Sequence, residues 1–138
     1  MNKKVTVDEL AKAINDTLTD FVGVTEEACE KGVLETADDA LKALRAANPK
    51  GSGEYSSWSK NYDRGWTIRK EYPKRMKAKG ILAILWNPVH YRLTHLLEKG
   101  HAIKRGGRKI GEAQAFPHIE QVAERAEGEL LFNIRKNL

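Results

Sequence analysis

From Leu10 onward the chain sets an apolar residue at every third to fifth position: Leu10, Ile14, Leu18, Phe21, then Ala28, Val33, Ala37, Leu41 and Leu44, with polar Thr25 as the exception. That spacing is the period of an α-helix with one buried stripe. Thr6 and Glu9 stand three apart at its start, the pattern in which each side chain satisfies the other's free backbone N–H. Asn48-Pro49 ends it, because a residue before proline avoids the helical region. A single helix over 6–47 would be about 60 Å long at 1.5 Å per residue, longer than a compact domain of this size. Either Gly23 or Gly32 breaks it into two packed helices, or it stays long, straight or bent, and buries its stripe against another molecule. Nothing polar or proline-rich surrounds either glycine, which favours the long form and with it an oligomer.

The pattern then changes. Residues 48–65, "NPKGSGEYSSWSKNYDRG", read as a loop from their Gly, Ser, Asn and Pro content. "WTIRKEY" sets Trp66, Ile68 and Tyr72 against Thr67, Arg69 and Glu71, with Lys70 out of place, and predicts a strand with one wet face. "PKRMKAKG" turns the chain, and "ILAILWN" is a second strand so apolar that both faces should be covered. Pro88 closes that strand. "HYRLTHLLEKG" predicts a short helix with Leu93, Leu96 and Leu97 inward, stopped at Gly100 by a left-handed residue. Residues 102–116 form a basic loop or ribbon around Gly106-Gly107. Pro117 suits a first helical turn, and Ile119, Val122, Ala123, Ala126, Leu130, Ile134 and Leu138 continue at helical spacing. Helix, hairpin, short helix, basic loop and a C-terminal helix packed on the sheet predict an α+β fold, with residues 1–138 as a single domain.

Composition narrows the classes. Apolar residues make up 41% and charged residues 31% of the 138, which fits a folded chain and excludes a disordered tail. The run "ILAILW" is too short to cross a bilayer and "MNKKVTVDEL" holds no secretory apolar segment, so no membrane partner and a cytoplasmic site of synthesis are expected. One cysteine, Cys29, allows neither an internal disulfide nor a multi-cysteine zinc cluster, and its neighbours Ala28 and Glu30 do nothing to stabilise a thiolate. Charge is unevenly spread. Residues 1–48 carry six Lys/Arg against ten Asp/Glu, residues 49–110 fifteen against four, and residues 111–138 three against five. Opposed zones of this kind bind polyanions or let copies of one chain meet head to tail.

The densest chemistry lies in "YRLTHLLEKGHAIKRGGR", residues 91–108. All four histidines, His90, His95, His101 and His118, fall nearby, but at spacings of five, six and seventeen, which puts no two on one helix face as a metal would need. No metal and no cofactor are expected. Metal-independent RNA cleavage would draw on His95, His101, Arg92 and Tyr91, though no acid and base stand at a diagnostic spacing. Phosphate-cradling and nucleophile-elbow motifs are missing. Lys104, Arg105, Arg108 and Lys109 flank the glycine pair and could neutralise several phosphates, or meet an acidic protein. No aromatic residue is interleaved with them, which argues against sequence-specific reading.

In combination these residues resemble the C-terminal half of the small tail-component or neck proteins of long-tailed bacteriophages, the HK-ninety-seven gene-product-ten type. The likeness rests on His95, Leu96, Leu97, Glu98, Lys99, Gly100 and His101, on the basic stretch Lys104 to Arg108, and on the helix start Pro117, His118 and Ile119. Upstream, "YDRGW", with Tyr62, Gly65 and Trp66, resembles the turn leading into the family's first strand. The linker "PKGSGEYSSWSKN" and the turn "PKRMKAKG" are longer than that pattern, and "IGEAQAF" is set between the basic stretch and the proline. The resemblance implies a non-enzymatic virion component of the head-tail junction or upper tail, formed as a ring in the host cytoplasm. Its partners would be copies of itself, neighbouring connector and tail proteins, and packaged DNA without sequence preference. On that reading Arg92, His95, Glu98, Gly100, His101, Lys104, Arg105, Arg108 and Lys109 form an assembly or DNA-facing surface.

Overall fold

A computed structural model describes residues 6–48, 56–74 and 80–138. The first helix, α1, runs unbroken over Val7–Ala47. Its capping box is formed: the Thr6 N–H donates to Glu9 Oε2 at 2.8 Å, and the Glu9 N–H donates to Thr6 Oγ1 at 3.3 Å. Neither glycine breaks it. Gly32 serves instead as the crossing point with the last helix, α4 (Ile119–Lys136), since a Cβ there would lie 2.7 Å from the Ile134 Cα. Small residues on both sides of that crossing, Ala28 and Thr36, let the backbones approach and are themselves buried. The seam is tied by Asn133, which donates from Nδ2 to the Thr36 hydroxyl at 2.9 Å while that hydroxyl donates to the Gly32 carbonyl at 2.8 Å.

A second helix, α2 (Ser56–Gly65), replaces the C-terminal part of the loop predicted over 48–65; residues 49–55 of that prediction lie outside the described residues. Its composition is poor for a helix, and tertiary packing overrides it. Tyr62 and Trp66, four positions apart, point together into the core and meet edge to face with centroids 5.9 Å apart.

Strands β1 (Thr67–Glu71) and β2 (Leu82–Trp86) pair antiparallel, Ile68 opposite Leu85, as a two-stranded sheet. The expected turn between them falls mostly in residues 75–79, outside those described. The expectation that β2 is covered on both faces is corrected. Leu85 packs on the core, whereas Leu82 and Trp86 stay exposed, because the helices cover one side of the sheet only.

Helix α3 (Tyr91–Lys99) follows, with Leu93, Leu96 and Leu97 half-buried and Leu97 against the core. Then β3 (His101–Arg105) and β4 (Arg108–Ala113) form a second antiparallel ribbon. Gly106 and Gly107 both have positive φ, 57° and 80°, as a two-residue hairpin turn matching the twist of its strands requires. Helix α4 begins at Ile119, so Pro117 precedes the helix and does not sit in its first turn. The core proper is Ala40, Leu44, Tyr62, Trp66 and Val122, with Leu85, Leu97 and Ile119 packed around it. The architecture is α+β: a long helix, two small antiparallel sheets, a short helix between them, and α4 lying along α1 and over the core end of the first sheet.

Candidate functional site

Three of the residues singled out in the sequence come together inside the protein. Tyr62 from α2 and His118 at the start of α4 are both fully buried, and the tyrosine oxygen lies 3.0 Å from the imidazole Nε2. The other ring nitrogen, Nδ1, faces two acceptors: the Phe116 carbonyl at 2.8 Å and Glu98 Oε2 at 3.1 Å. A neutral ring therefore keeps its proton on Nδ1, and the Tyr62 hydroxyl donates to Nε2. Burial, together with the negative charges of Glu98 and Asp63, pushes the Tyr62 phenol well above its ordinary range. It remains a neutral donor.

Glu98, from α3, closes the group. Its Oε2 accepts from the backbone N–H of His118 at 2.8 Å and of Ile119 at 2.9 Å, and its Oε1 accepts from Glu120 N–H at 2.9 Å. These are the free donors at the first turn of α4, where the helix dipole also favours an anion. Burial pushes the carboxyl up, but the three backbone N–H groups and His118 outweigh it and hold Glu98 below the usual carboxylate range. A phenol, an imidazole and a carboxylate in line look like a proton relay, yet both ends are spent on internal bonds and the ring is closed to solvent. The arrangement fixes α2, α3 and α4 to one another. Glu98 is thus an internal helix cap, a correction to its expected place on an assembly surface beside His101.

The other candidates lie outside. His101, Lys104, Arg105, Arg108 and Lys109 are exposed along the β3–β4 ribbon, and Arg92 and His95 are exposed on α3, where the Arg92 guanidinium stacks on Tyr91, 5.6 Å from the ring centroid. His90 is half-buried, its ring 6.0 Å from that of Tyr62. Among the described residues, no three of His, Cys, Asp and Glu are grouped as a metal ion would require. Cys29 is half-buried.

The ribbon's end is electrostatically unusual. Lys104 faces Lys109 and Arg105 faces Arg108 across the ladder, and like charges set directly opposite destabilise a strand pair. Lys109 pairs with Glu112, and β3, which carries Lys104 and Arg105, holds no acidic residue. The exposed apolar side chains Ile103 and Ile110 share this ribbon. A two-stranded hairpin is marginal alone in water, so a polyanion or an acidic protein face laid on it would stabilise it.

Two positioning residues carry no visible signal in the sequence. Asn87, buried, donates from Nδ2 to the Tyr62 carbonyl at 3.0 Å and accepts from His90 N–H at 3.0 Å, filling the space a Cβ on Gly65 would need. Arg45 donates to the Trp66 carbonyl at 2.8 Å. Both hold the end of α2, so the buried Tyr62 and Trp66 owe their place to residues far away in sequence. No protein-family model, curated protein or solved structure matches this chain.

Proposed function

We propose that this chain is a structural component of a phage virion, a neck, tail-completion or tail-component protein that works as part of a homo-oligomeric ring at the head-tail junction or upper tail and catalyses nothing. The observation that carries this reading is the first half of α1. Residues 7–24 are exposed throughout, and Leu10, Ile14, Leu18 and Phe21 are 54%, 52%, 58% and 66% exposed on one face of a helix that nothing in the described chain covers. Apolar side chains held at that density on a projecting helix mark a contact surface. The likeness of the segment from His95 to His101 and of Pro117-His118-Ile119 to the phage family supplies the kind of assembly. Neighbouring connector and tail proteins are the remaining partners, and the virion is the final location.

Static light scattering across a hundredfold range of concentration, alone and with the adjacent virion proteins, tests this. Assemblies of many copies, seen in electron micrographs as rings with a channel, are expected; monomers under every condition would count against it.

The four cations at the ribbon tip favour a second reading, sequence-independent DNA contact, which the ring reading accommodates if the tip lines the channel. Each phosphate neutralised adds about 0.9 to the slope of log affinity against log salt. Replacing Lys104, Arg105, Arg108 and Lys109 by glutamine should lower that slope by up to about 3.6 and leave thermal stability equal or higher, since the cross-strand repulsion goes with the charges. An unchanged slope in a filter-binding titration would assign the tip to protein contact.

A further inference from the structure

The described surface holds both halves of one contact. A mainly apolar groove of about 440 Å³ opens between α1, β2, α3 and α4, lined by Leu44, Trp66, Trp86, Tyr91, Ile119 and Ala123. Trp86 and Tyr91 at its rim remain partly exposed to solvent. The volume suits the side chains of a docked helix and is too small for the helix itself. On the same chain, the free half of α1 presents Leu10, Ile14, Leu18 and Phe21 at intervals of four, four and three, the spacing of a helix laid into a groove.

We infer that the free half of α1 of one copy seats its apolar face in this groove on the next copy, making a head-to-tail contact. The inference rests on the ring reading only in requiring a second copy of the chain. Three observations select that occupant. The exposed stripe is the direct continuation of the face that α4 covers further along α1, at Ala28, Gly32 and Thr36, so a helix-packing surface already in use simply runs out of partner. Over Val7–Glu27 the helix carries Asp8, Glu9, Asp16, Asp20, Glu26 and Glu27 against Lys12 alone, so two such segments laid side by side would repel. Three cations stand at the groove to meet that acidic helix: Arg69, 5.2 Å from the Trp86 ring centroid and paired with Glu71, Arg92, stacked on Tyr91, and Arg45, which reaches the Trp66 carbonyl. The contact joins two different surfaces of one chain, which generates a ring when the rotation closes and a filament when it does not.

Two variants of the full chain test it, both at exposed positions the fold tolerates: Ile14→Asp with Leu18→Asp, which spoils the helix face, and Ala123→Glu, which places a carboxylate in the groove against an acidic visitor. Circular dichroism checks that each stays folded. Sedimentation should show the wild type assembling and each variant remaining at the 15.5 kDa of one chain. Mixed together, the two should form a one-to-one pair of twice that mass and nothing larger, because each retains the half the other lost. A wild type that assembles beside an Ala123→Glu variant that assembles equally well overturns the groove contact and leaves the ring reading standing. A mixture that fails to pair overturns it too, as does a wild type that is monomeric at every concentration; in that last case assembly with neighbouring virion proteins remains the separate test of the ring.

Discussion

Replacing Glu98 with alanine should destabilise the protein by about 3 kcal/mol and lower its melting temperature by roughly 10 °C, measured by calorimetry. Three backbone N–H groups, those of His118, Ile119 and Glu120, lose their acceptor at once. An ordinary helix cap satisfies one or two and is worth about 1 kcal/mol. Here the His118 N–H is the most costly to abandon, because that residue is fully buried and water does not reach it in place of the carboxylate. The ring of His118 would also lose one of its two Nδ1 acceptors, loosening its hold on Tyr62. Glu98→Gln keeps an oxygen toward the helix and should cost about half as much.

The same bonds set a pH dependence. Glu98's carboxyl is held below its ordinary value of 4.5 in the folded chain, so the folded state favours the charged form. The stability this contributes is complete above the unfolded value, near 4.5, and is lost as pH falls through the lower folded one. Denaturant titrations of wild type and Glu98→Gln should therefore differ by a constant amount at neutral pH and converge in acid. Parallel curves down to pH 3 would mean that the carboxylate charge contributes nothing to the cap.

The sequence predicts α1 almost to the residue, because its start is written in a local capping pair and its body in a period that forty residues repeat. The second helix is hidden, since eight of its ten residues are polar or glycine, and the core aromatics at its end, Tyr62 and Trp66, are separated only by Asp63, Arg64 and Gly65. Asn87, Arg45 and His118, from distant elements, complete the environment that holds it. His95 and His101 draw attention by proximity, but proximity in sequence sends both to the surface. The histidine with buried partners is His118, joined to Tyr62 across 56 positions and to Glu98 across 20. Each of those three residues stands in a stretch of its own, and nothing local shows that they touch. The basic tip is legible as charge, while its cross-strand register, which sets like against like, needs the turn geometry at Gly106 and Gly107.

Gly100→Val should be the most damaging single substitution, costing about 4 kcal/mol, a large part of the 5 to 15 kcal/mol that folded chains of this size possess. The residue has φ 71° and ψ 173°. The positive φ fits a helix-ending glycine, but the extended ψ puts it in a region essentially reserved for glycine instead of the left-handed helical one, because the chain must leave α3 straight into β3. That conformation alone should cost about 1 to 3 kcal/mol for any residue with a Cβ. Space adds to it. A Cβ at 100 would lie 2.6 Å from the Ala113 carbonyl oxygen and 2.9 Å from the Ala115 nitrogen, backbone atoms at the exit of β4 that cannot rotate away. The base of the ribbon closes over this glycine. Gly106→Ala supplies the control: its φ is also positive, at 57°, but nothing lies within 4 Å of the added carbon, so only the conformational cost of about 1 kcal/mol remains. If melting curves show Gly100→Val no worse than Gly106→Ala, the packing of the ribbon base on α3 is wrong. Since Glu98 stands two residues upstream on the same turn, a shift at position 100 also withdraws the cap from α4, and the combined Glu98→Ala and Gly100→Val variant should lose less than the sum of the two.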